Sequence, residues 1–138
     1  MIFEFSGVLV RKNEKILLVR EKHKAAKNLW SIPLGFVEKG ESLKDAAVRE
    51  AREESGYDVR IVRKSKSIII RGQDFRSAHS FLRGKVHLTV FFGKVIRKWP
   101  RKAALATEWF SDKEIKSLNL RGTWEKKFLL RKRRRQSI

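Results

Sequence analysis

Hydrophobic and polar positions alternate from residue 2 and then turn apolar through Val8-Leu9-Val10, which predicts a strand. A turn at Asn13-Glu14 leads into Lys15-Ile16-Leu17-Leu18-Val19-Arg20, so the chain is expected to open with a hairpin. Residues 21–29 are polar, and Pro33, Gly35 and Gly40 mark the stretch after Trp30 as loop. Ser42, with Asp45 three positions on, has the spacing of a helix start, and Gly56 suits the position just past a helix over 43–55. Short strands are predicted over 57–63 and 67–71, and a loop without apolar period over 72–84. The strongest strand pattern covers 85–96, with Val86, Leu88, Val90 and Phe92 on one face. A short strand at 108–110, a brief helix capped by Ser111-Asp112 and a terminal helix over 123–130 complete the order. Strands interleaved with helices predict a layered α/β or α+β domain over residues 1–130.

The helix over 43–55 departs from the ordinary amphipathic pattern. At about 100° per residue, Leu43, Ala46, Ala47, Glu50, Glu53 and Glu54 share one arc of about 120°. The three carboxylates thus continue the apolar stripe instead of opposing it. Acids turned toward a packed face need a compensating charge. Arg49, adjacent to the arc, is one candidate. A divalent cation is the other, since carboxylates at i, i+3 and i+4 offer hard oxygen ligands suited to Mg²⁺ or Mn²⁺.

Charge changes the picture further. The 138 residues hold 34 Lys+Arg against 15 Asp+Glu, a formal net charge of +19. Residues 58–102 carry thirteen basic and two acidic side chains, whereas residues 35–57 carry four and six. The run Arg131-Lys132-Arg133-Arg134-Arg135 lies in a basic tail, 131–138, expected to be disordered. One acidic segment therefore sits in a cationic chain, a balance that favours polyanionic partners such as nucleotides or RNA and also favours solubility. The absence of Cys excludes disulfide scaffolds and thiolate-bound zinc. No apolar run approaches the ~20 residues of a membrane helix, and the first residues lack a signal pattern, so no membrane partner and a cytoplasmic location are expected.

The spacing of residues 35–57 is more specific. Gly35, Glu41, Arg49, Glu50, Glu53, Glu54 and Gly56 fit the pattern G-x5-E-x7-R-E-U-x-E-E-x-G-U, where U is bulky and apolar. All seven fixed positions match, and the chain resembles the Nudix hydrolases, MutT-like members included. The hairpin, the Trp30-Ser31-Ile32-Pro33 approach and the Glu108-Trp109-Phe110-Ser111 segment extend the resemblance. The departures are Leu34 where a second Gly often precedes Gly35, and Ala51 and Tyr57 at the apolar positions. The resemblance implies an α/β/α sandwich around a mixed β-sheet.

It also implies roles. Glu53 and Glu54 resemble the family's principal metal ligands, with Glu50 a third and a backbone carbonyl at Leu34 or Gly35 completing the set. Arg49 resembles the residue that orients a box glutamate, and Glu41 an anchor of the loop–helix–loop. The implied cofactor is Mg²⁺, with Mn²⁺ able to substitute, and the implied reaction is hydrolysis of a nucleoside diphosphate linked to another group. In some MutT-like relatives the general base is an acid in the loop before the late Trp. Residues 94–107 contain no acid, which leaves Glu50, Glu53 or Glu108, with Glu50 favoured.

Substrate choice is less legible. A nucleoside triphosphate or related nucleotide is the leading expectation. The alternatives are an RNA 5′-end pyrophosphohydrolase or cationic nucleic-acid-binding module, and a dinucleoside polyphosphate or ADP-ribose hydrolase. Gly72 stands where ADP-ribose enzymes often have Pro, and Phe75 near where dinucleoside polyphosphate enzymes have Tyr. Phe75 and Trp30 are candidates to stack on a base, and Arg20, Lys39, Arg71 and Arg76 to contact phosphates. His23, His79 and His87 lack metal-ligand spacing, and His87 is expected on the outward face of its strand. Oligomeric state is not encoded in any pattern here.

Overall fold

A computed structural model of the chain describes residues 2–22, 28–75 and 84–130. His23, Arg76, His79 and the basic tail lie outside these residues. The strands are β1 (Ile2–Lys12), β2 (Lys15–Arg20), β3 (Trp30–Ser31), β4 (Leu34–Phe36), β5 (Tyr57–Arg71), β6 (Lys85–Lys98) and β7 (Ala106–Ser111), and the helices are α1 (Leu43–Ser55), α2 (Asp112–Ile115) and α3 (Thr123–Leu129). The described strands form one sheet ordered β3-β2-β1-β6-β5, with β4 also paired to β1 and β7 to β2. It is mixed: β1 runs parallel to β6, while the other pairings are antiparallel.

The two-residue period of β1 divides the core. Val8 and Val10 join Leu17, Val59 and Phe91 under Ala47 and Ala51 of α1. Phe5 and Leu9 point the other way, into a cluster with Ile16, Leu18, Leu88, Ile115 and the α3 residues Phe128 and Leu129. The sheet therefore lies between α1 and the α2–α3 segment, as the α/β/α expectation requires. Helix α1 occupies the predicted span. The Ser42 hydroxyl accepts from the Asp45 N–H at 3.0 Å, and Gly56 ends the helix at φ 76°, a left-handed conformation that favours glycine. A capping box also forms at α2, where Ser111 and Glu114 bond reciprocally.

Three expectations change. The predicted strands over 57–63 and 67–71 are one element, β5, which stays paired to β6 through register shifts between Asp58/Val59, Ile61/Arg63 and Lys64/Lys66. The polar Lys64-Ser65-Lys66 reads locally as a break, but ladder bonds to β6 carry the backbone across it. Residues 30–36, expected as loop, supply β3 and β4, and the Pro33 carbonyl between them accepts the Val8 N–H. The expected loop over 72–84 opens with a 3-10 turn at Gly72–Asp74. His87 stands half-buried opposite Glu4, its Nδ1 2.6 Å from a carboxylate oxygen.

Candidate active site

Arg49 is the centre of the constellation. Its Nε and Nη2 donate to the two Glu41 oxygens at 2.7 and 3.0 Å. Nη2 also donates to the Phe36 carbonyl at 2.9 Å, and Nη1 donates to Glu50 at 2.8 Å and Glu53 at 3.0 Å. One guanidinium thus ties the loop before α1, strand β4 and two box glutamates together, a fork that lysine cannot reproduce. The hydrogen bond from Arg49 holds the Glu41 carboxyl below its ordinary range and raises Arg49 in return.

Glu50 and Glu54 turn inward. The Glu50 carboxylate lies on the backbone of Gly35, where an added Cβ would come within 2.2 Å of Oε2. Only glycine leaves that space, which explains the glycine at the head of the box. Glu54 accepts the Leu34 N–H at 3.0 Å. Burial pushes the Glu50 carboxyl up to about 7 against the opposing pull of Arg49. Burial also raises Glu54 well above the usual range, with Glu50 adding to the rise and Arg121 countering it. Glu53 is more open, its side chain 57% exposed.

Glu50, Glu54, Arg49 and Gly35 line one cleft of about 260 Å³, with Glu21, Glu38, Phe36, Ala104, Leu105 and Arg121 completing the wall. The loop before β7 is fastened to the end of α1: Ala104 N–H donates to the Glu53 carbonyl at 2.8 Å and Leu105 N–H to that of Glu54 at 3.1 Å. These bonds use carbonyls that a helix C-terminus leaves free.

The predicted residues do not all converge. Glu50, Glu54, Arg49 and Gly35 share the cleft, and Glu53 joins them through Arg49. The carboxylates diverge, however: among the described residues no three acidic or imidazole groups form a ready metal cage. What fits a cation is the donor set, two partly buried carboxylates raised by desolvation beside a third, all hard oxygen. Lys39 is exposed and Glu108 is exposed on β7, and neither lines the cleft. Arg20 lies 5.7 Å from the ring centroid of Trp30, also outside the cleft. Arg71 pairs with Asp74 at 2.9 Å.

Phe75 is a correction. Its ring is fully buried between Phe5, at 4.8 Å, and Trp124, at 5.9 Å, so it offers no free face to a base. Packing supplied by distant residues decides this, and nothing near Phe75 in sequence signals it.

Sequence reasoning missed a buried polar group. Arg121 Nη2 donates to Glu21 at 2.8 Å, with side-chain exposures of 3% and 10%. Glu125, fully buried, accepts the Ile32 N–H at 2.7 Å and so fixes the approach to Gly35; burial pushes its carboxyl up to about 7. Glu21 and Arg121 stand a hundred positions apart, beyond any local pattern.

With this geometry in place, comparison with known proteins settles the family. The NUDIX domain family model matches residues 4–131, and the chain belongs to that family. It is 31% identical over 110 residues to the Caenorhabditis elegans protein named "Putative nudix hydrolase 1", covering 78% of this chain and 28% of that one. It is 39% identical over 61 residues to an ADP-ribose pyrophosphatase of Methanocaldococcus jannaschii, covering 44% of this chain and 34% of that one. The chain thus spans about a third or less of these relatives' length. In fold it is similar to a NUDIX hydrolase from Nitrosomonas europaea, with TM-score 0.81, 22% identity and coverage of 94% and 86% of the two chains.

Proposed function

We infer that the chain is a metal-dependent hydrolase of phosphoanhydride bonds, acting on a nucleoside diphosphate linked to another moiety, with nucleoside triphosphates and related small nucleotides as its substrates. The observation that carries this reading is the Arg49 fork holding Glu50 over Gly35, beside Glu54 in the same cleft. The family membership and a relative named for cleaving such a bond support it. Glu50, Glu53 and Glu54, with the Gly35 carbonyl, would hold Mg²⁺ or Mn²⁺. Once bound, the cation supplies neutralisation of phosphate charge and acidification of a bound water.

The chain's own residues do the rest. Arg49 spends its donors on Glu41, Phe36, Glu50 and Glu53, so it positions carboxylates and leaves the substrate phosphates to other groups. Glu50, held over Gly35 by Arg49, is the group we assign to take a proton from the attacking water onto a carboxylate oxygen. Ala104 and Leu105 close one side of the cleft, and Arg121 gives its wall a second cation.

The test is phosphate and pyrophosphate release from nucleoside triphosphates, ADP-ribose and diadenosine polyphosphates with Mg²⁺ or Mn²⁺. Glu53→Gln is expected to lower turnover by roughly 10³-fold, about 4 kcal/mol of barrier, with melting unchanged. Near-full activity in that variant would remove Glu53 from the site. Negligible turnover of the whole panel by the wild-type chain would overturn the substrate class.

A further inference from the structure

The paired strands β5 and β6 carry nine Lys or Arg residues and one Asp. Asp58 is shared by Arg52 and Arg97, and Arg71 meets Asp74. Of the nine, only Arg97 and Arg71 therefore reach an acid, and the other seven have no acidic partner among the described residues. A solvated surface built for solubility alone usually intersperses both signs. This one does not.

The cationic ribbon contains a groove. Leu9, Val62, Phe92 and Gly93 line it together with Arg11, Arg63 and Lys94, of which Arg11 also pairs with Asp112 at 3.5 Å, and its volume is about 170 Å³. The Arg63 guanidinium lies 4.8 Å from the Phe92 ring centroid. Arg11 Nη2 donates to the Leu129 carbonyl at 3.4 Å, so the chain enters the Arg131–Arg135 run two residues after a contact at the groove's rim. The groove is separate from the cleft: Phe5 of β1 lines the cleft and Leu9 the groove, about 13 Å apart along the strand.

We propose that this groove is a second binding site, for one nucleotide unit of single-stranded RNA: the exposed Arg63 guanidinium, which covers Phe92 here, moves to a flanking phosphate, the base takes its place on the ring, and Lys94 meets the other phosphate. An aromatic floor under a guanidinium, inside a field of unpaired cations, is the arrangement that takes a base and a phosphate together. An anionic membrane would require no concave ring-sized floor. An acidic side chain could pair with Arg63 but has no flat ring to take the guanidinium's place on Phe92. The site does not depend on hydrolysis, and it holds whether or not the cleft cleaves the bound strand.

The experiment is fluorescence anisotropy of the 138-residue chain with a labelled 12-nucleotide oligouridine in EDTA, over a range of salt. Arg63→Ala/Lys94→Ala is expected to weaken binding at least tenfold and to reduce the steepness of log K against log salt by about 1.4, two single-strand phosphate contacts. Phe92→Leu, which keeps apolar volume and removes the ring, is expected to weaken binding several-fold for oligouridine and not for an abasic strand. Mononucleotide turnover in Arg63→Ala/Lys94→Ala stays at the wild-type level, which separates this site from the cleft. Wild-type affinity in that double variant overturns the proposal. So does equal binding of oligouridine, abasic strand and heparin by every variant, or binding to phosphatidylserine vesicles with none to RNA.

Discussion

The cleft and the β5–β6 ribbon handle charge in opposite ways. Around the cleft the box acids are held by direct bonds: Arg49 alone holds Glu41, Glu50 and Glu53, Arg121 holds Glu21, and Glu54 accepts the Leu34 N–H. On the ribbon seven of nine cations have no acid to meet among the described residues. Burial explains the difference. A charge removed from water must be compensated within the chain, whereas an exposed one is compensated by solvent and counterions at little cost. The sharp bonds therefore mark the cleft as a place where geometry is fixed, and the unpaired cations mark the ribbon as a place where geometry is free and only the field matters.

The first way to break that contrast is to disturb the fixed geometry without touching a charge. Gly35→Ala would place a Cβ within 2.2 Å of Glu50 Oε2. The obstacle is the end of a flexible side chain, so Glu50 can swing aside and the fold survives. Its carboxylate, however, can no longer lie against β4. Turnover is expected to fall about 10²-fold or more, the scale set by displacing a catalytic group by about an ångström, while the melting temperature moves by only a few degrees. Full activity in this variant would show that Glu50 does not act from its place over Gly35.

How legible each region is in the sequence follows from the same contrast. The box is local: Arg49, Glu50, Glu53 and Glu54 lie on one helix, so spacing and helical rotation place them, and Ser42 and Gly56 fix the helix ends. The inward turn of Glu50 and Glu54 could be read from the arc they share with Ala46 and Ala47. That arc also holds Glu53, which sits at its margin and remains open to solvent. The Glu21–Arg121 pair, the Glu125 bond to Ile32 and the burial of Phe75 rest on contacts between distant segments, and no periodicity reports them. The continuity of β5 was hidden for a related reason, because its pairing with β6 overrides a polar Lys64-Ser65-Lys66 that locally reads as an interruption.

A second, smaller effect sharpens the comparison by pH. Burial raises Glu50 and Glu125 to about 7 and raises Glu54 in the same direction. For such acids the native state holds protons that the unfolded state has released, so their contribution to stability is complete below the ordinary carboxylate pKa and is lost as pH rises through about 7. Glu41 and Glu114, shifted down, act only below the ordinary carboxylate range. The metal-free protein is therefore expected to lose stability between pH 5 and pH 8, by roughly 2–3 kcal/mol for each of Glu50 and Glu125. Mn²⁺ binds the deprotonated carboxylates, so it should raise the melting temperature more at pH 8 than at pH 5. Glu125→Gln removes one titrating group away from the box and should flatten the metal-free profile while leaving the Mn²⁺ response. Metal-free melting temperatures that rise from pH 5 to pH 8 would contradict the assignment.

The smallest effect belongs to the ribbon. Lys64 is exposed on β5, has no acidic partner among the described residues and lies among like charges. Lys64→Glu removes repulsion and makes no buried contact, so it should change stability by no more than about 0.5 kcal/mol, upward. The gain should shrink as NaCl rises from about 0.05 to 0.5 M, because the Debye length falls below the spacing of surface charges. The Arg49 fork, held by direct bonds in a partly buried setting, should show little of that salt dependence. A Lys64→Glu variant destabilised by more than about 1 kcal/mol would mean that the cation has a partner in solution, and the ribbon would then be a second region of fixed geometry.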